Sequence, residues 1–339
     1  MKGSRRVLLA GVSSLALALA APAAMGADLS KPLPMKAPPP APAVAPSPWT
    51  WWIEGGGQAT IGDPYVPGLS PAFDARPAPW GWNVAGGFDY RFNGYWHVSG
   101  DFRFGASKHS LHSIQNGCIG STSCNTLMTG SNSATRKEYN WVADFMVGRD
   151  VGLGLGNSQI KGGLRVAQIR GTTDGSISWV PTAAVTIGPS VYSQTNKFTG
   201  VGPRVALEGN MPIGGAWSID YEVGFAGLYG WRSTNQTAFT PLDNSGSPCH
   251  SGCPINTSTS SNGFVANPDA MVGIAYAISP TTKVALNYRV DAYFNAFRAF
   301  GAGGLPPPTL GSPAVASPGS PTNVNRIYHG PSLRLTSQF

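Results

Sequence analysis

Charged residues of both signs recur in this sequence at every second position between apolar ones. Asp89, Asp101, Asp144, Glu208, Asp220, Glu222, Asp269 and Asp291 supply carboxylates. Arg91, Arg103, Lys161, Arg165, Arg204, Lys283, Arg289 and Arg334 supply cations, so the tally is eight against eight. Such a set can move protons, pair into salt bridges or line an aqueous path. The outcome depends on whether the residues share one surface.

Two other groups could carry chemistry. His109 and His112 stand beside Ser107, Ser110 and Ser113, the residue types of a hydrolytic dyad. No Gly-x-Ser-x-Gly elbow sits at a strand-to-helix turn and no His-Glu-x-x-His helix occurs, so polar loop residues are the simpler reading and no enzyme is expected. The cysteines fall in two close pairs, Cys118 with Cys124 and Cys249 with Cys253. Each pair is expected as a local disulfide stiffening the tip of an outer loop. A metal site at His250 beside Cys249 would need more ligands than that stretch offers, so neither metal nor cofactor is expected.

The elements that must position these groups are strands. The chain has 339 residues, of which 12% are charged, and it carries 44 Gly and 30 Pro. Mean hydropathy is −0.07. Weak charge without overall greasiness argues against a helical multi-span protein, which needs runs of about 20 apolar residues, and against charged disorder. From Trp49 onward, period-two alternation dominates. Trp80, Trp82, Val84, Phe88, Tyr90 and Phe92 share one face, while Asn83, Asp89 and Arg91 share the other. Trp217, Ile219, Tyr221, Val223 and Phe225 alternate with Ser218, Asp220 and Glu222. The pattern predicts about ten strands, with eight to twelve in range.

The connections orient them. Residues 93–95, a Gly-rich stretch after 147, 210–216 and 279–281 are short links. Residues 63–79, 106–137, 171–196, 233–262 and 298–325 are read as long ones. Strict alternation of short and long links is the layout of an outer-membrane barrel with periplasmic turns and outer loops. The predicted fold is therefore all-β: a transmembrane antiparallel up-and-down barrel over 49–339. Aromatics at strand ends, Trp80, Trp96, Tyr139, Trp217, Tyr229 and Trp231 among them, fit two interfacial girdles.

The N-terminus reads as a signal peptide over 1–26. Lys2, Arg5 and Arg6 precede an apolar run, and Ala24-Met25-Gly26 offers a small-residue cleavage site. Its removal lowers the net charge from +7 to +4. Residues 27–48 form a Pro/Ala-rich tether on the periplasmic side. The basic residues form no cluster along the sequence, so no nucleic-acid partner is expected.

Residues 198–209 (FTGVGPRVALEG), 215–220 (GAWSID), 287–295 (NYRVDAYFN) and 330–339 (GPSLRLTSQF) carry a resemblance to the Legionella-type pore-forming major outer-membrane protein family. Residues 27–32 (ADLSKP) with 36–38 (KAP) resemble the mature start common among outer-membrane barrels of rhizobia-like bacteria. The family resemblance implies a pore-forming barrel in the bacterial outer membrane and offers no catalytic residues. The sixteen charged residues are then expected to line the lumen, and passive diffusion of ions and small hydrophilic solutes is the expected function. The alternative is a closed structural or surface-interaction barrel whose long outer loops bind a partner. Expected partners are outer-membrane lipid and the barrel assembly machinery, which Phe339 would engage as C-terminal aromatic. A homo-oligomer is compatible with this reading.

Overall fold

The computed structural model describes residues 48–62, 80–119, 126–153, 156–180, 190–242, 248–300 and 321–339. The expected signal peptide, 1–26, and nearly all of the expected tether, 27–48, lie outside them. Ten strands follow in order: β1 (Trp49–Ile61), β2 (Trp80–Asn93), β3 (Trp96–Ile119), β4 (Thr126–Val151), β5 (Asn157–Val180), β6 (Ser190–Gly214), β7 (Trp217–Leu242), β8 (Pro248–Ser279), β9 (Thr282–Phe300) and β10 (Pro321–Gln338). Each pairs antiparallel with its chain neighbours, and β1 pairs with β10 to close the barrel. Thr50 opposite Gln338 and Glu54 opposite Arg334 set the closing register. Closure satisfies the backbone of every strand without an open edge in lipid.

Burial is inverted relative to a soluble sandwich. Ile53 is 64% and Leu286 62% exposed, whereas Arg165 is 0% and Asp269 3% exposed. The apolar face of each strand therefore points outward and the charged face inward, as required when the surrounding solvent is hydrocarbon. Trp49, Trp51, Trp96 and Trp217 mark one end of the outward apolar band, while Trp80, Tyr139, Tyr229 and Trp231 mark the other. At the first end, Arg149 lies 5.8 Å from the Trp96 ring centroid, a cation held at the interface.

Hairpin turns at that end are tight. Gly94 (φ 52°) and Gly215 (φ 57°) take the left-handed conformation that lets adjacent strands reverse within two residues. These short turns place this end on the periplasmic side.

At the other end the structure departs from expectation. Segments 106–137, 171–196 and 233–262, predicted as loops, are mostly strand. β3 to β8 run 24 to 32 residues, against 13 for β1 and 14 for β2. The wall is thus taller on one side of the mouth than on the other. The reason is physical: above the membrane neither face meets lipid, so the sequence there is rich in Ser, Thr, Asn and Gly on both faces and lacks a sustained apolar period. Cys118 accordingly lies in β3, and Cys249 with Cys253 in β8, not in loops. Cys124 lies outside what the structure describes, as do the side chains of all four cysteines and of His250, which itself stands in β8.

Candidate functional site: the filled bore

The inner face is layered from the periplasmic end outward. The first layer is a vestibule of about 290 Å³. Within it, His97 contacts Asp89 through Nδ1 at 2.8 Å and Asp150 through Nε2 at 2.7 Å. Lys161 reaches Asp89 at 2.9 Å and Glu208 at 2.6 Å. Lys283 pairs with Asp220 at 2.8 Å. Arg91 pairs with Asp150 at 3.3 Å on the open rim, where its side chain is 46% exposed.

The second layer is a lattice of ion pairs that crosses the bore. Arg165 on β5 grips Asp144 on β4 with Nε at 2.7 Å and Nη2 at 2.6 Å. Its Nη1 crosses to β8, donating to Asn267 Oδ1 at 2.6 Å and Asp269 Oδ2 at 3.0 Å. Arg204 donates to Asp269 at 2.6 Å and to Glu222 at 2.7 Å, and Glu222 also accepts from Arg289 at 3.0 Å. From the facing wall, Arg103 on β3 reaches Asp291 on β9 at 2.9 Å. Arg334 pairs with Glu54 at 2.6 Å and stacks 4.1 Å from the Trp52 ring centroid. Asp101, opposite Asp144 in register, shows no ion pair among the described contacts. Charges removed from water need partners on all sides, and this lattice supplies most of them. A cavity of about 10 Å³ beside Arg103 and Tyr328 has room for roughly one water.

Above the charges lies an apolar layer inside the barrel. Val142, Ile169, Phe198, Leu228, Val265 and Phe297 are each 2% exposed or less. Part of it is built by a kink. Asn295 (φ 64°) takes the left-handed conformation, its N–H donating to Asn325 Oδ1 at 2.9 Å. Beyond that kink β9 leans inward, burying Ala296 and Phe297, and the Thr234 hydroxyl of β7 donates to the Arg298 carbonyl. Asn tolerates that conformation better than most residues, because its short polar side chain bonds locally.

A third polar cluster caps this layer. Glu138, buried to 1% exposure, accepts from Arg136 at 2.7 Å and from Tyr328 Oη at 2.6 Å, and pairs with Arg326 at 3.2 Å. Arg326 also lies 4.9 Å from the Phe297 ring centroid. Glu138→Ala strands two cations and a hydroxyl, so a loss of about 3–5 kcal/mol is expected. The check is the denaturant midpoint of the folded-barrel gel band: Glu138→Ala should lower it strongly, and Glu138→Gln less.

All sixteen charged residues read from the sequence sit on the inner face. Sequence reasoning overlooked Glu54, Arg136, Glu138, Asp150, Arg232 and Arg326. Parity could have found several: Arg326 is in step with Arg334, and Glu138 with Asp144. His109 shares the inner face with Ser107, while His112 faces outward with Ser110. Ser107 contacts Thr60 at 3.3 Å and Ser110 contacts Thr135 at 3.1 Å.

A closed barrel with apolar residues outside and charges within is an outer-membrane β-barrel protein. More particularly, the chain belongs to the family of the Legionella pneumophila major outer membrane protein precursor, whose model matches residues 58–334. No curated protein matches the chain. Among solved structures, it is similar to the outer membrane protease OmpT of Escherichia coli, at 11% identity over 87% of this chain and 98% of that one, with a TM-score of 0.49. Ail, the attachment invasion locus protein of Yersinia pestis, matches at 11% identity over 85% and 97%, TM-score 0.23. The Ralstonia pickettii toluene transporter TbuX matches at 9% over 86% and 90%, TM-score 0.22.

Proposed function

We propose that this protein is a closed, non-conducting outer-membrane barrel that carries a tall β wall above the cell surface. The observation that carries this reading is Arg165, fully buried at mid-bore and bonded to β4 and β8 at once. A thin water path past it would leave its guanidinium or its carboxylates in contact with a water-sized space. The apolar layer above favours the same reading, because ions cross a dry aliphatic constriction poorly. The passive-pore reading would require both layers to part. In the closed reading the eight-against-eight charge balance serves cohesion, and no residue acts as a catalyst. The Asn-, Ser- and Thr-rich upper parts of β3 to β8 then present the surface that a partner meets. Phe339, 72% exposed at the end of the chain, is the aromatic offered to the assembly machinery.

Swelling of proteoliposomes in an isosmotic pentose solution tests the proposal. Vesicles holding the full chain should swell no faster than empty ones. Swelling that rises with the amount of folded barrel would favour the pore.

A further inference from the structure

The outward face of the wall carries a feature that the bore does not explain. Starting in the outer aromatic girdle, three adjacent rows of cross-strand neighbours run around β3 to β8. The lowest is Phe104, Trp141, Gln168, Thr199, Trp231 and Asn262. The next holds Ala106, Tyr139, Arg170, Lys197, Ser233 and Ser260. The third holds Lys108, Lys137, Thr172, Thr195, Asn235 and Ser258. Four cations therefore share one outward patch on four consecutive strands, and the three rows hold no carboxylate. Lys108 stands directly opposite Lys137, and Arg170 directly opposite Lys197. Lys108, Arg170 and Lys197 are exposed and Lys137 is half-buried. Asp174, the acid one row higher, accepts from Ser193 Oγ at 2.6 Å.

Like charges directly opposite each other on a strand pair oppose folding. Inside the bore this chain pairs nearly every cation with a carboxylate. On this patch it pairs none among the described residues, which leaves these cations open to an anionic partner from outside the chain. The height of the patch identifies the source. Trp141 and Trp231, in the row below, mark the level where aromatic rings meet lipid headgroups. Cations one and two rows higher stand at the level of the outer-leaflet phosphates, where lysines act as point charges and arginine can bond bidentately.

We propose that Lys108, Lys137, Arg170 and Lys197 form a docking surface for the phosphates of the outer leaflet's phosphorylated glycolipid, lipopolysaccharide in this membrane. Trp141 and Tyr139 flank the sugar–acyl boundary of the bound lipid. This surface is on the outside of the wall and does not depend on whether the bore is closed.

The test uses the full chain in neutral detergent and measures its affinity for three probes: bisphosphorylated lipid A, the same lipid A after phosphatase treatment, and inorganic phosphate. The expected result is binding of bisphosphorylated lipid A that weakens as salt rises. Removing the phosphates, or introducing Lys108→Gln, Lys137→Gln, Arg170→Gln and Lys197→Gln together, should weaken it at least tenfold. The quadruple variant must keep the wild-type heat-dependent gel migration. A single variant, Lys108→Gln, should give a smaller loss and guards against a folding failure of the quadruple one. The proposal is overturned if dephosphorylated lipid A binds equally well, if a folded quadruple variant keeps wild-type affinity, or if millimolar inorganic phosphate displaces the lipid, which would mark a free-phosphate site instead.

Discussion

Arg165→Met should be among the most destabilising single changes available in this barrel, costing about 3–5 kcal/mol. The guanidinium is wholly buried and makes four hydrogen bonds, two to Asp144, one to Asn267 and one to Asp269. Methionine fills much of the volume but satisfies none of these partners. Asp144 then keeps only a 3.5 Å contact with Arg204, and Asp269 must rely on Arg204 and Arg289. The loss arises because carboxylates are left buried without a counter-charge, not because one salt bridge is worth so much. The double variant Arg165→Met with Asp144→Leu removes a cation and an anion together and should recover a large part of the loss. Unfolding midpoints of the two single variants and the double variant read this directly. Strictly additive losses would mean that Arg165 and Asp144 do not share one network.

Opening the bore should require breaching two layers in series. Arg165→Ser with Asp269→Ser thins the charged layer without changing its net charge. Phe198→Ser with Phe297→Ser thins the apolar layer, at about 3–5 kcal/mol per aromatic removed. Each double variant leaves the other layer intact and should stay silent in a lipid bilayer. The quadruple variant leaves a void lined by small polar groups, which fills with water, and should show a resolvable conductance step. Retained heat-dependent gel migration certifies that each variant is still a barrel. A conducting charged-layer double variant would mean that the apolar layer does not seal by itself.

How much of this was legible in the sequence follows from where lipid touches the chain. Within the membrane, alternation is enforced by two solvents, so Trp80 to Phe92 and Trp217 to Trp231 revealed their faces and their strands at once. Above the membrane one solvent bathes both faces. Segments such as 256–262 (NTSTSSN) then read as loops although they are strand. That blindness hid Arg136, and it hid Lys108 and Lys137, whose neighbourhood appears only once β3 and β4 are paired. The inner charges were found by parity, but their partners were not. Arg103 and Asp291 are 188 residues apart in sequence and meet only because β3 and β9 face each other across a narrow lumen. Nor does any local pattern announce the apolar layer. Val142, Ile169, Phe198 and Leu228 sit at inward positions that a polar-lumen rule assigns to hydrophilic residues, and Phe297 gets there through the left-handed turn at Asn295. An even balance of lumen charges was legible; whether they close upon one another depends on barrel diameter, which alternation does not encode.

Single-channel recording of the purified, folded wild-type chain in a planar lipid bilayer addresses the closed bore most directly. Silence is predicted at protein loads where a known porin gives steps, with the quadruple variant conducting under the same conditions. A stable wild-type open level, reproducible in size and appearing in proportion to inserted barrels, would contradict the closed reading.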